Sequence, residues 1–163
     1  FDFTCHTSPN NILYTGLIAS QIPKSKIIYC YRNPKDHIIE LYKYNLQNYL
    51  TLKTSIIDLA KIMVIIDNQM EEYKERFHSK IYFLDFDKLV LDPKKEIKLL
   101  LKWLDWKYDE KYLTPKLKPK GLIKSKMDIH SFNSSYINNS QNYSEMLKSV
   151  EGILSKNHRY KNE

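Results

Sequence analysis

The sequence predicts an α/β fold of three layers, a mainly parallel sheet with helices on both faces. Three observations carry that expectation. Two short runs of β-branched and aromatic residues, 27–31 and 81–84, have the character of buried strands. Segments with apolar residues at helical spacing precede, separate and follow them. Three dipeptides, Ser8-Pro9, Asn33-Pro34 and Asp92-Pro93, place a capping side chain directly before a proline, the chemistry of a helix start.

In chain order, Ile12, Leu13, Leu17, Ile18 and Ile22 recur at helical spacing and predict a helix over 9–22, ended by Pro23. The strand 27–31 then delivers Arg32 at its carboxyl end. Ile38, Leu41, Tyr42 and Leu46 supply the apolar stripe of the next helix. Ser55 with Asp58 three residues on resembles a capping box, which opens a long amphipathic helix to about residue 77. The strand 81–84 follows, and Asp92-Pro93 starts a helix whose face is Ile97, Leu100, Leu101 and Leu104. Residues 105–135, with Pro115, Pro119 and Gly121, read as a long connection, and a last amphipathic helix is expected over 141–154.

At 163 residues the chain has room for one sizeable core, so a single domain is expected. No apolar run approaches the roughly 20 residues of a membrane helix, and the start lacks the pattern of a signal peptide. A soluble, cytoplasmic protein is the resulting expectation. Cys5 and Cys30 cannot build a disulfide framework or a four-ligand zinc site, and the five histidines lack metal-ligand spacing, so no metal is expected. Cys5 beside His6 is disfavoured as a nucleophile and base, because adjacent side chains rarely face one another. Residues 94–126 hold eleven lysines against four carboxylates, which accounts for the whole net charge of +7. That bias favours an anionic partner, but no nucleic-acid motif accompanies it.

Ligands of parallel sheets sit beyond the carboxyl ends of the strands, where Arg32 falls. A guanidinium facing a helix N-terminus can grip a phosphate, assisted by orphan N–H groups and the helix dipole. The competing reading is a simple Arg32–Asp36 salt bridge at the turn, and the residues alone leave the two open.

The run Arg32-Asn33-Pro34-Lys35-Asp36 after an Ile-rich strand resembles the motif by which sulfotransferases hold the 3′-phosphate of PAPS. The stretch 9–18, Met70-Glu71-Glu72-Tyr73, the stretch 85–93 and Leu100-Leu101-Lys102-Trp103-Leu104 are similar, in order and spacing, to tetratricopeptide-linked and protein-tyrosine sulfotransferases. Ser125 and the segment 134–143 look like a weakened copy of the C-terminal cofactor segment. The resemblance implies a P-loop NTPase-like sulfotransferase fold and transfer of a sulfuryl group from PAPS to a hydroxyl, leaving 3′,5′-ADP. The acceptor would be a protein tyrosine, a glycan or a small molecule, and a protein-tyrosine relative would work in the Golgi lumen.

Carried over residue by residue, Arg32 would hold the 3′-phosphate, Phe86 would lie beside the adenine, and Ser125 would contact the nucleotide. Glu40 stands where the family has a serine that donates to the same phosphate. Thr7 replaces the family's catalytic lysine, and His130 and Ser140 replace an arginine and a tryptophan. His6 is the candidate general base, although alignment on Pro9 sets it where the family has an acidic or amide residue. The Gly-rich loop that cradles the 5′-phosphosulfate is not formed by Gly16, Gly121 or Gly152, and its expected place precedes residue 1. The domain 1–163 is therefore expected to be N-terminally incomplete. A catalytically inactive nucleotide- or partner-binding domain is the alternative that these departures support.

Overall fold

The computed structural model describes residues 4–44, 55–113, 134, 137–157 and 159. Its architecture is mixed helix and strand around a small parallel sheet. A 3₁₀ turn at Pro9–Tyr14 leads into α1 (Thr15–Gln21), followed by β1 (Ile27–Tyr31), α2 (Pro34–Tyr44) and the long α3 (Ile56–Arg76). Next come β2 (Ile81–Asp85), α4 (Phe86–Leu91), α5 (Pro93–Trp103), a 3₁₀ turn at Glu110–Leu113, a second at Asn139–Tyr143, and α6 (Ser144–Leu154).

The expected helix starts are built as their chemistry dictates. Ser8 accepts from the N–H of Asn10, Asn33 from those of Lys35 and Asp36, and Asp92 from that of Lys95. Ser55 accepts from the N–H of Asp58, while its hydroxyl donates to the Asp58 carboxylate. Two elements differ from the sequence reading. Residues 9–14 are 3₁₀ rather than α-helical, with Asn11 turning its amide back to the His6 carbonyl. Such short polar side chains compete with regular helix hydrogen bonding. The helix α4 was not anticipated; Asp85 starts it by accepting from the N–H groups of Asp87 and Lys88.

β1 and β2 run parallel in register, with Ile27 opposite Ile81 and Tyr31 opposite Asp85. Tyr29 packs edge-on against Phe83, with ring centres 5.2 Å apart, on the side facing α3. On the opposite side Tyr82 packs against Trp103 of α5 at 5.3 Å, so helices cover both faces of β2. β1 corrects the expectation of a buried strand: Ile28 and Cys30 on its second face are exposed. α5 reaches β2 and leaves that part of β1 open. Lys80 at the start of β2 ties α1 to the sheet by donating to the carbonyls of Ala19 and Ile22 at the end of that helix, a cation at a helix C-terminus.

The main core lies beside the sheet, among α2, α3 and α6. Ile38 and Ile39 meet Ala60, Met63 and Val64, and Leu147, Val150 and Leu154 close the cluster. The last helix is therefore part of the core and not an appendage. Leu147→Ala removes a buried side chain at the α3–α6 contact and is expected to cost about 2–5 kcal/mol. Leu91→Ala, at a strongly exposed leucine, should stay within about 0.5 kcal/mol of the parent. Urea denaturation of the two variants separates them, and a small effect of Leu147→Ala would refute the placement of α6.

Candidate functional site

Arg32 follows β1 directly, and its side chain is held among three elements. Its Nη2 lies 3.5 Å from Oδ2 of Asp36 on α2, and its Nε lies 3.7 Å from Oδ1 of Asp87 on α4. The guanidinium also sits over the Phe86 ring, 5.2 Å from its centre. Both carboxylate separations exceed the roughly 2.7–2.9 Å of a tight charged hydrogen bond. They orient the guanidinium without gripping it as a two-pronged salt bridge would.

The expectation that orphan N–H groups surround Arg32 is corrected. The N–H groups of Lys35 and Asp36 are taken by the Asn33 side chain at 2.9 and 3.2 Å. The N–H of Asn33 donates to Oδ2 of Asp87 at 2.7 Å. What α2 offers an anion is its dipole and the nearby guanidinium.

Asp36 is the most constrained member of the cluster. Its side chain is fully buried, and it accepts from the backbone N–H of Asn138 at 2.7 Å and of Ser140 at 2.6 Å. Asn138 adopts a left-handed backbone, φ 60°, which asparagine tolerates better than most residues. One turn along α2, Glu40 accepts from the Asn139 side chain at 3.1 Å and lies 3.5 Å from Nζ of Lys43. Lys43 in turn sits over the Tyr143 ring. Glu40 is thus turned to the C-terminal segment, with a cation beside it.

The sequence-derived candidates therefore separate. Arg32 and Phe86 are brought together, and Glu40 lies one turn beyond Asp36 on the same helix. Ser125 lies outside the described residues, as does His130. His6 is exposed and makes no hydrogen bond or ion pair with the Arg32 cluster among the described residues; its carbonyl oxygen accepts from Asn11. Thr7 is exposed as well.

A second polar cluster was missed from sequence. Asp67, buried on α3, accepts from the Tyr29 hydroxyl, from the Asn157 amide at 2.7 Å and from Arg159 at 3.4 Å. The Arg159 guanidinium stacks over Tyr31, 3.9 Å from the ring centre, and pairs with Glu71 at 3.1 Å. Burial and the neighbouring Asp85 push the Tyr31 hydroxyl up to about 12, so it stays protonated. The one sequence signal was Asp67 itself, a carboxylate on the apolar stripe of Met63 and Met70. His37 lies between the clusters. Burial holds its imidazole below the ordinary value of 6.5, with Arg32 adding to the effect and Asp67 and Asp87 opposing it.

The sulfotransferase family model matches residues 2–110, more than half of the chain, and this protein belongs to that family. An uncharacterized protein of Aquifex aeolicus (strain VF5) is 28% identical over 108 residues, which is 64% of this chain and 14% of that protein. The chain thus spans about one-seventh of that relative's length. No solved structure matches it.

Two outcomes follow from this geometry. Asp36→Asn leaves one acceptor where two N–H groups converge, and should destabilise the fold by about 2–4 kcal/mol while speeding amide exchange at Asn138 and Ser140. Unchanged exchange would show that Asp36 does not hold the segment. For His37, the folded state binds its proton less readily than the unfolded chain, so this contribution to stability is complete above the ordinary value and lost as pH falls below it. Thermal melts should fall between pH 7.5 and 5.5, less steeply in His37→Gln. An equal slope in both would remove His37 as the cause.

Proposed function

We propose that this domain is the 3′-phosphate-binding part of a PAPS-dependent sulfotransferase that transfers a sulfuryl group to a hydroxyl, with an acceptor of the protein-tyrosine, glycan or small-molecule kind. The carrying observation is Arg32, set at the carboxyl end of a parallel strand and at the N-terminus of α2. Membership of the sulfotransferase family supports the sulfuryl chemistry, since that family generally uses PAPS. The likeness to tetratricopeptide-linked and protein-tyrosine sulfotransferases, and the complete three-layer P-loop architecture, belong to the same proposal.

Arg32 and Phe86 suit one phosphate and the base of a nucleotide bisphosphate, while the two carboxylates on Arg32 oppose it. Arg32 would hold the 3′-phosphate as a charged donor, Phe86 offers an aromatic face beside it, and Ser125, outside the described residues, would contact the nucleotide. Asp36 and Asp87 orient the guanidinium, and the latter competes with an incoming phosphate. Glu40 would act through Asn139, positioning the C-terminal segment. PAPS supplies the sulfuryl group and 3′,5′-ADP leaves. His6 is the proposed base for the acceptor hydroxyl.

A second reading has its own observation. Thr7 in place of the family's lysine, together with two carboxylates on Arg32, favours a domain that binds nucleotide without turnover. Calorimetry tests the shared element. The chain should bind 3′,5′-ADP more tightly than 5′-AMP, and Arg32→Ala should weaken 3′,5′-ADP about tenfold or more. Asp87→Asn, which removes a competing charge but keeps an acceptor for Asn33, should tighten it several-fold. Equal affinity for the two nucleotides would overturn the assignment of Arg32.

A further inference from the structure

We propose that the outer face of α5 seats this protein on an anionic lipid surface. Lys95, Lys98, Leu99 and Lys102 are all exposed and fall at i, i+3, i+4 and i+7, one face of the helix. With Asp92 and Lys94 they line a shallow open concavity. Leu91 just before the helix is 68% exposed, Leu99 within it 45%, and Trp106 just after it 48%.

Among the described residues only part of this charge is paired internally. Asp92 accepts from the N–H of Lys95 as the helix cap, and Lys94 pairs with Glu110. Lys98 leans over the Tyr108 ring. Lys95 and Lys102 enter no ion pair among the described residues. The opposite side of α5 is occupied by the sheet, through Trp103 against Tyr82, with Leu101 buried. Among the described residues the lysine face is the exposed side of α5.

Composition selects the partner. A soluble polyanion would use the lysines and leave Leu99, set among them, and the exposed Leu91 that precedes the helix without a role. A specific phosphate or sulfate site would also favour the planar fork of arginine, and this face has none. A lipid headgroup layer takes both components: lysines meet anionic headgroups as point charges, while the leucines enter the boundary with the acyl chains. Lysine stems can lie along the apolar zone with their ammonium groups in the headgroups.

Flotation of the full chain with phosphatidylcholine vesicles, with and without about one-third phosphatidylserine, tests this. Binding should need phosphatidylserine. The double variant Lys95→Glu and Lys102→Glu should weaken it at least tenfold. Leu91→Ser and Leu99→Ser should weaken it several-fold, most clearly at high salt, where charge attraction is screened. All four positions are exposed, so circular dichroism melts should match the parent. Absence of flotation overturns the proposal. So does binding that ignores both leucines and is matched by soluble polyphosphate, which would make the face a polyanion site.

Discussion

A buried carboxylate, Asp36, ties the turn after β1 to the segment that precedes α6. Asp36 touches Arg32 on one side and receives two backbone N–H groups from residues 138 and 140 on the other. A buried charge is tolerated only when paired and hydrogen-bonded, and Asp36 has both. The consequence is mechanical. One side chain thus takes part both in orienting the guanidinium and in placing a segment over 100 residues away, and Glu40 reinforces the joint through Asn139 one helical turn further on.

Asp67 does comparable work on the sheet. By accepting from Tyr29, Asn157 and Arg159 it joins α3, β1 and the chain beyond α6. Arg159 then sits over Tyr31 and Phe83 on the sheet face that Tyr29 also occupies. Both C-terminal attachments thus end on carboxylates that project from helices flanking β1. The apolar core of α2, α3 and α6 lies between them, so packing and polar anchoring fix the same arrangement.

What could be read from the sequence followed how local its cause was. The strands and helix starts depend on neighbouring residues: Asn33 and Asp92 cap the helices that Pro34 and Pro93 begin, and 27–31 is a strand within its expected bounds. Short-range competition hid the 3₁₀ character of residues 9–14, and α4 is too short for a visible apolar period. Ile28 and Cys30 misled because strand composition reports β-propensity and not what will cover the face. In the site, Arg32 and its turn were legible, and the alternative pairing with Asp36 proved part of the geometry. The approach of Asp87, the docking of residues 138–140 and the Asp67 cluster were not, because each joins residues far apart in the chain.

The neighbourhood of Arg32 also limits what it can do alone. One guanidinium faces two carboxylates, and the first N–H groups of α2 already serve Asn33. An arriving phosphate dianion would meet a cluster whose own formal charge is negative, so the helix dipole and one guanidinium must work against that field. Asp36 cannot move aside without releasing residues 138 and 140, whereas Asp87 lies on the short helix α4 and, among the described residues, holds the Asn33 N–H and the guanidinium. The carboxylate that can yield is therefore Asp87, and anion binding at Arg32 would proceed by exchange of that partner. The lysines of α2 and α4 are themselves paired, Lys35 with Glu151, Lys43 with Glu40 and Lys88 with Asp85, so a phosphate site centred on Arg32 depends on the groups that surround it as much as on the arginine itself.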